Sequence, residues 1–294
     1  MPANAIGSPS PRPFIPTLGA PVAATRTAAA PRVSATARLA LGIDAQTADW
    51  SVTNARGFGR LANIAYESRD GAINLLTRMG ATEVKFFDIN GSQGFVAAAG
   101  DRIIVGFRGT EPHSVTDWAR DLAAGQVDRL GGEVHFGFSR ALNQIWSPML
   151  AEIQRLNTER PRPIFVTGHS MGGAMATIAA LELVNEGLTP RAVYTYGSPV
   201  VGDRAFAREY DDALGSNTFR IVNQTDDVPR ILALGYHHVG EERYLNDDGQ
   251  AQTGTNFFGK FWDRLNRRID QPLGAGITDH RMDTYERQLK LLQS

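Results

Sequence analysis

From Ile43 onward, the apolar residues of this chain alternate between helical spacing and short continuous runs. The helical spacing predicts an amphipathic helix over Gly57 to Glu67 and a longer one near Ser139 to Leu156. Further helices are predicted from Met171, near Asp203 to Tyr210, and at the C-terminal end through Tyr285 and Leu289. Regular alternation of this kind indicates a fold in which helices cover a sheet.

The predicted strands are short apolar runs without polar alternation, which is typical of a sheet buried on both faces. Asn90-Gly91 and Gly100-Asp101 predict turns between the first three strands. The order of strands and helices predicts an α/β fold with a mostly parallel central sheet flanked by helices. The predicted strands are Glu83 to Ile89, Gly94 to Ala99, Arg102 to Phe107, Ile164 to Thr167, Ala192 to Tyr196 and Thr218 to Val222.

Residues 1–42 differ from the rest of the chain in composition. They hold seven of the 15 prolines and four arginines, no Asp, Glu or Lys, and Phe14 as their one aromatic residue. So little apolar surface predicts a disordered leader, followed by one catalytic domain over residues 43–294. The segment lacks the apolar stretch of a standard signal peptide; an organelle transit peptide, a non-classical export signal and a tail without targeting function all stay open.

Overall composition excludes several classes of protein. With a formal net charge of −1 over 294 residues, the chain has no global positive field for nucleic acid. No uninterrupted apolar run reaches the roughly 18 residues that a membrane-spanning helix needs. The absence of cysteine excludes disulfides, thiolate zinc sites and iron–sulfur clusters.

The motif with the clearest chemical meaning is Gly168-His-Ser-Met-Gly172, which reads G-x-S-x-G between a predicted strand and a predicted helix. This setting is that of a nucleophile elbow, and it makes Ser170 the candidate nucleophile. Glycine is needed on both sides because a Cβ there would collide with the neighbouring strand or helix. The alternative is an ordinary turn that joins a strand to a helix.

An activated serine needs a base and an orienting acid, which follow it in the order acid, then histidine, in α/β-hydrolases. Downstream of the elbow, His280 lies on a loop before the last helix and is favoured over the pair His237-His238. Asp226 and Asp227 both follow a predicted strand at its carboxyl end, and the pattern alone does not choose between them.

An oxyanion hole needs two donors near the serine. The first is the N–H of Met171, directly after the nucleophile. The second is predicted on the loop after the strand that ends at Phe107, where Gly109 permits a close backbone approach and Thr110 offers an N–H and a hydroxyl. A plain turn is the competing interpretation of this loop.

Several spaced motifs together resemble the class 3 (fungal-type) lipases of the α/β-hydrolase fold. The resemblance implies Ser170, Asp226 and His280 as catalytic triad, Thr110 and Met171 as oxyanion hole, and a structural role for the histidine pair. The motifs that carry it are Val105-Gly-Phe-Arg-Gly-Thr110 with Asp117-Trp118 and Asp121-Leu122, Val134-His-Phe-Gly-Phe138, Gly168-His-Ser-Met-Gly-Gly173, Thr195-Tyr-Gly-Ser-Pro-Val-Val-Gly202, Asp226-Asp-Val-Pro229, Tyr236-His-His-Val-Gly240 and Asp279-His280 with Tyr285.

The same resemblance implies a lid beginning after Thr110, with Val115 and Trp118 as its candidate apolar residues. Two large apolar residues before Leu122 are few for a lid that opens onto oil. The implied activity is hydrolysis of lipid carboxylic esters, as in a triacylglycerol lipase, with a lipid or ester substrate and without metal or organic cofactor. Phospholipase A or soluble-ester esterase activity is the alternative, and a non-catalytic lipid-binding or scaffolding protein is the alternative of another class.

A second amphipathic pattern lies between the acid and the base, over residues 256–269. Its apolar stripe is opposite several basic residues, which is typical of a helix at a lipid surface. An ordinary surface helix whose stripe completes the core would show the same pattern. The candidate lipid-contact residues are Phe257, Phe258, Phe261 and Trp262.

Overall fold

Eight strands form one sheet in the described part of the chain, in the order β1-β2-β3-β6-β7-β8-β9-β10. The computed structural model describes residues 40–109, 125–223, 226, 228–230, 235–246, 251–253 and 280–292. The strands are β1 Glu83–Ile89, β2 Ser92–Ala99, β3 Arg102–Phe107, β6 Ile164–His169, β7 Ala192–Tyr196, β8 Thr218–Asn223, β9 Glu241–Leu245 and β10 Ala251–Thr253; β4 Gln126–Arg129 and β5 Gly132–His135 form a separate hairpin. Strands β3, β6, β7, β8 and β9 pair in parallel, and antiparallel pairs extend the sheet at both edges.

Helices cover both faces of this sheet. They are α1 Val52–Ile64, α2 Arg69–Arg78, α3 Phe136–Glu159, α4 Met171–Asn185, α5 Arg204–Leu214 and α6 Met282–Leu291. Helices α3, α4 and α5 pack on one face, and α1, α2 and α6 pack on the other. Along β2, Val96 and Ala98 point to the first core whereas Phe95 and Ala97 point to the second, as the period of two requires. Because both faces are covered, the central strands β3, β6, β7 and β8 are buried along their whole length.

The predicted fold class is confirmed: a mostly parallel sheet flanked by helices. Strands β1, β3 and β7 have the predicted bounds. Helix α1 begins at Val52, earlier than predicted, because the side chain of Ser51 accepts a hydrogen bond from the N–H of Asn54 and caps the helix there.

In the described part of the chain, one helix and four strands were not predicted: α2, β4, β5, β9 and β10. Helix α2 buries only Ala72 and Leu76, so its periodic signal is weak. The segment that holds His237 forms a single bridge, from His237 to Gly202, and β9 starts after Gly240. Gly240 has a φ of 63°, and this turn separates the two segments.

Packing reaches two residues ahead of the predicted domain boundary. Ala40–Gly42 form a 3₁₀ turn in which Leu41 is fully buried and donates its N–H to the carbonyl of Met79. The leader itself stays a prediction, and residues 1–39 lie outside the described residues. Among the helices that the structure describes, none combines the length and the apolar character that crossing a membrane requires.

Candidate active site

The carboxyl ends of four neighbouring strands lead into the predicted site. Gly109 comes just after β3, Ser170 follows β6, Gly197 follows β7 and Asp226 comes just after β8. In an open parallel sheet these ends share one edge, where binding crevices form. The order of the strands thus brings together residues that are far apart in the chain.

Ser170 is on the sharp turn between β6 and α4 that the motif predicted. Its backbone is at φ 58° and ψ −130°, which a residue with a Cβ seldom adopts. A Cβ at Gly168 would overlap the carbonyl of Gly172, and a Cβ at Gly172 would overlap the carbonyl of Phe107. The predicted reason for the flanking glycines is therefore confirmed.

The backbone around Ser170 is held by hydrogen bonds, but its hydroxyl is not. The N–H of Ser170 donates to the carbonyl of Tyr196 at 2.9 Å, and the carbonyl of Ser170 accepts from the N–H of Gly173 at 2.9 Å. Although Ser170 is the N-cap of α4, its side chain makes no capping bond. The hydroxyl oxygen thus stays available for chemistry at the positive end of a helix.

The predicted acid and the favoured base are hydrogen-bonded to each other. Nδ1 of His280 lies 2.8 Å from Oδ2 of Asp226, and Asp226 is fully buried. The same oxygen accepts from the hydroxyl of Tyr285 at 2.6 Å, and Oδ1 accepts from the N–H of Val228 at 2.9 Å. A carboxylate held in this way orients the imidazole and stabilises its protonated form.

Gly197 forms the wall behind this pair. Its φ is +55°, and a Cβ at this position would lie 2.8 Å from Oδ2 of Asp226 and 2.9 Å from Cε1 of His280. Only glycine combines this conformation with such close contact. The turn after β7 is therefore shaped around the Asp226–His280 pair.

The two atoms that would exchange a proton are both buried. Oγ of Ser170 and Nε2 of His280 have no hydrogen-bond partner among the described residues. Buried polar atoms normally have partners, and exceptions are frequent at catalytic sites. Hydrogen bonds between a nucleophile and its base also often tighten only when substrate binds.

The segment after β3 comes as close to the elbow as predicted. A Cβ at Gly109 would overlap the carbonyl of His169 and would lie 3.1 Å from Cβ of Ser170. Met171, whose N–H is the first predicted oxyanion donor, is the first residue of α4. Thr110, the second predicted donor, lies outside the described residues.

His169 contacts the site from below the elbow. Its Nε2 lies 2.6 Å from the carbonyl oxygen of His280, and its Nδ1 lies 2.8 Å from the hydroxyl of Tyr66. Complete burial, with the nearby His280 ring as a second cause, holds the pKa of His169 well below its usual value. The ring is therefore neutral at pH 7.

The pair His237-His238 forms hydrogen bonds to backbone carbonyls. Nε2 of His238 lies 2.7 Å from the carbonyl of Pro229, and the N–H of His237 donates to the carbonyl of Gly202. These contacts are structural in kind, whereas His280 is the histidine that meets Asp226.

Some predicted residues cannot be placed in this site. Asp227, Val115, Trp118, Phe257, Phe258, Phe261 and Trp262 lie outside the described residues, as Thr110 does. Conversely, three residues that border the site had no predicted role there: Tyr66, Gly197 and, as a partner of Asp226, Tyr285. The one signal for Gly197 and Tyr285 was their presence in the family motifs, and Tyr66 had none.

Metal ligands are a separate question. Within the residues that the structure describes, no group of three or more His, Asp or Glu side chains is arranged to hold a metal ion.

Comparison with known proteins identifies relatives of this chain. The family described as Lipase (class 3) matches residues 104–235. A secreted mono- and diacylglycerol lipase 1 of Fusarium solani is 37% identical over 150 residues, which cover 49% of this chain and 44% of the relative. A phospholipase A1-II 1 of Oryza sativa subsp. indica is 37% identical over 109 residues, which cover 35% of this chain and 28% of the relative. The chain thus spans about half or less of the length of these curated relatives.

A solved structure supports the fold assignment. It is a triacylglycerol lipase described as having a serine protease triad as its catalytic centre, with 27% sequence identity and a TM-score of 0.60. The match covers 68% of this chain and 82% of that chain.

Proposed function

We propose that this chain is a member of the class 3 lipases, whose family model matches residues 104–235, and that it is a serine hydrolase of lipid carboxylic esters. One observation carries the proposal: the buried Asp226–His280 pair and the strained elbow of Ser170 share one edge of the sheet, and neither Nε2 of His280 nor Oγ of Ser170 has a hydrogen-bond partner among the described residues. A turn with only a structural role would not need this strain or these unpaired atoms.

The proposed reaction has two steps. Nε2 of His280 takes the proton of Ser170 as Oγ attacks the ester carbonyl, and the resulting imidazolium gives that proton to the leaving alcohol. His280 then takes a proton from water, the hydroxide attacks the acyl-enzyme, and Ser170 recovers its proton as the fatty acid leaves. Asp226 orients the imidazole throughout. The N–H groups of Met171 and Thr110 are the proposed donors to the oxyanion.

Side chains and backbone N–H groups of the protein supply all the chemistry in this scheme, and no step requires a metal or an organic cofactor. The expectation of a cofactor-free reaction rests on the triad chemistry itself, in which the base, the nucleophile and the oxyanion donors are all protein groups.

Ser170→Ala tests the nucleophile. We expect loss of p-nitrophenyl butyrate hydrolysis by several orders of magnitude and loss of fluorophosphonate labelling, because triad members act as a unit. Ser139→Ala is a matched control: Ser139 of α3 is also a buried serine, but its hydroxyl accepts a hydrogen bond from Arg129 of β4. A folded wild type that is never labelled would support the non-catalytic lipid-binding or scaffolding alternative. A Ser170→Ala protein that is still labelled would assign the nucleophile to another residue.

The substrate class is a separate part of the proposal. Acylglycerol is the first candidate because the Fusarium relative is named for mono- and diacylglycerols, and phospholipid is the second because the rice relative is named a phospholipase A1. Parallel assays on emulsified triacylglycerol, diacylglycerol, phosphatidylcholine vesicles and soluble p-nitrophenyl esters decide between them. Faster turnover of soluble esters than of any lipid would instead indicate an esterase.

Contact with a lipid surface is proposed for residues 257–262, on the amphipathic pattern of the sequence alone. The double substitution Phe258→Ser/Trp262→Ser is expected to weaken vesicle binding while stability and soluble-ester turnover stay near normal. Unfolding of the variant, or unchanged vesicle binding, would assign the stripe to the core.

Val115 and Trp118 remain the proposed apolar residues of the lid.

We also propose that the protein is exported, since the Fusarium relative is named as secreted and residues 1–42 have the composition of a leader. Organelle targeting is the alternative. A fusion of residues 1–42 to a reporter, followed by cell fractionation, separates the two.

A further inference from the structure

His169 lies in the elbow motif yet is turned away from the nucleophile, and both of its ring nitrogens are engaged. Nε2 lies 2.6 Å from the carbonyl oxygen of His280 and Nδ1 lies 2.8 Å from the hydroxyl of Tyr66. A carbonyl only accepts, so Nε2 carries the proton. In the neutral ring Nδ1 is then the acceptor, and the hydroxyl of Tyr66 is the donor.

We propose that Tyr66 and His169 are positioning residues, which hold the backbone carbonyl of His280 so that its Nε2 is aimed at Ser170. This inference rests on the proposed hydrolase function. It concerns residues that contact the base from behind, on the side away from Asp226.

His280 needs such a support because only one of its two ring nitrogens has a hydrogen-bond partner among the described residues. Asp226 binds Nδ1, and a single hydrogen bond leaves the ring free to pivot about it. The bond from His169 fixes a second point, the backbone of the same residue. The rings of His169 and His280 also lie in contact, with centroids 4.6 Å apart and an angle of 32° between their planes.

Local structure does little to fix His280 on its own. It lies two residues before α6, and Arg281, the N-cap of that helix, makes no side-chain capping bond. His169, by contrast, is the last residue of a central strand and is 3% exposed. A rigid strand end is thus bonded to a loop residue whose position must be accurate to a fraction of an ångström for catalysis.

Tyr66 connects this support to the rest of the site. It follows α1, and its N–H donates to the carbonyl of Asn63 at 3.0 Å. The ring lies under the guanidinium of Arg108, 5.5 Å from ring centroid to Cζ, and the hydroxyl is against Gly109. Tyr66 therefore contacts both His169 and the segment that leads to the proposed oxyanion donor.

The test is steady-state hydrolysis of p-nitrophenyl butyrate by Tyr66→Phe, His169→Leu, His169→Gln and the double variant Tyr66→Phe/His169→Leu. Tyr210→Phe is the matched control, because Tyr210 is also buried and hydrogen-bonded, to Thr218, but on the opposite face of the sheet. Thermal unfolding of every variant is measured alongside.

We expect kcat to fall about 10-fold in Tyr66→Phe and about 100-fold in His169→Leu, with KM within about two-fold, as is usual for groups that orient a reacting residue. The kcat of His169→Gln should be several-fold higher than that of His169→Leu, because the amide nitrogen of Gln at the place of Nε2 still donates to the carbonyl of His280. The double variant should be no slower than His169→Leu, since Tyr66 acts through His169. Tyr210→Phe should lose stability without losing kcat.

Three results would overturn the inference. The first is a kcat of Tyr66→Phe within two-fold of that of Tyr210→Phe, and the second is a loss of kcat in the double variant equal to the product of the two single losses. The third is a change in KM with kcat unchanged. If His169→Leu does not fold, the comparison of Tyr66→Phe with Tyr210→Phe still decides. Failure of the proposed function is distinct, because wild type would then be inactive or equal to Ser170→Ala, and the positioning role would fall with it.

Discussion

At the scale of single residues, the site is shaped as much by missing side chains as by reactive ones. Gly168, Gly172 and Gly197 each occupy a position where a Cβ would meet backbone atoms or the Asp226–His280 pair. Close approach of the strand ends brings the proposed nucleophile, acid and base to one edge of the sheet. Substitution at these glycines should therefore displace the neighbouring backbone or the Asp226–His280 pair, although it removes no reactive group.

Gly197→Ala should lower ester hydrolysis at least 10-fold. The new Cβ would press on Oδ2 of Asp226 and Cε1 of His280 and displace both. Its left-handed φ should also cost roughly 1–2 kcal/mol of folding free energy. Kinetics and denaturant unfolding are measured on the same protein.

Gly187→Ala separates the two effects, because Gly187 also has a left-handed φ, +72°, but has no atom within 4 Å of the added Cβ. It should lose similar stability and keep full activity. Equal activities of the two variants would contradict the contact with the Asp226–His280 pair.

Burial of His169 should make stability depend on pH. Its folded pKa is well below that of the unfolded chain, about 6.5, so below that pH the unfolded state binds a proton that the folded state excludes. The neutral His169 ring makes its full contribution to the free energy of unfolding above pH 6.5. As pH falls below that value, the contribution is lost by at most about 1.4 kcal/mol per pH unit.

His169→Gln removes this titration. The free energy of unfolding, measured by urea denaturation from pH 7 to pH 5, should fall less steeply in His169→Gln than in wild type. Parallel curves for the two proteins would mean that His169 is protonated in the folded state.

At the scale of elements, the packing of α6 on α1 positions His280, the proposed base. Gly59 of α1 allows the close approach: a Cβ there would lie 2.8 Å from Cδ1 of Leu289 and 3.4 Å from Cε of Met282. Arg56 of α1 also donates from Nε to the carbonyl of Leu289 at 2.8 Å. Since α6 begins two residues after His280, the spacing of these helices sets the position of the base.

Gly59→Ala should therefore lower both stability, by roughly 1–3 kcal/mol, and kcat, because α6 must move outward to accommodate the methyl group. Leu289→Val removes the clashing Cδ1. Combined with Gly59→Ala it should restore part of kcat, although it costs stability alone. Purely additive losses in kcat across this double-mutant cycle would show that the clash does not reach the base.

At the scale of the whole molecule, the described structure extends to residue 40, and Leu41 is packed in the core on the α1 and α6 face of the sheet. The nearby carbonyl of Ile43 accepts from the fully buried guanidinium of Arg102 on β3. The segment just before the first helix is thus joined to the sheet by an apolar side chain and by a buried hydrogen bond. The composition of residues 1–39 predicts no comparable contribution.

Leu41→Ala should destabilise the protein by about 2–5 kcal/mol, because it leaves a cavity at a fully buried position. Deletion of residues 1–39 should change the melting temperature little, while deletion of residues 1–42 should lower it by several degrees. Differential scanning calorimetry of the three proteins tests this. A large loss on removing residues 1–39 would show that the predicted leader packs on the domain.

The sequence by itself determined the fold class, most of the sheet and the elbow, because these depend on neighbouring residues. Apolar runs fall on the strands, the glycines flank Ser170, and the helix predicted near Asp203 to Tyr210 is α5, which begins at Arg204. It also limited the base to three histidines and favoured His280, which the structure places against Asp226.

Only the tertiary structure decided which distant residues meet. Tyr66 and His169 are 103 positions apart, and Asp226 and His280 are 54 apart. Such contacts depend on strand order and on the spacing of helices, and they leave no periodic pattern in the chain. The roles of Gly197, Tyr285 and Tyr66 follow from close packing in three dimensions, where one carbonyl or one missing Cβ fixes the position of the base.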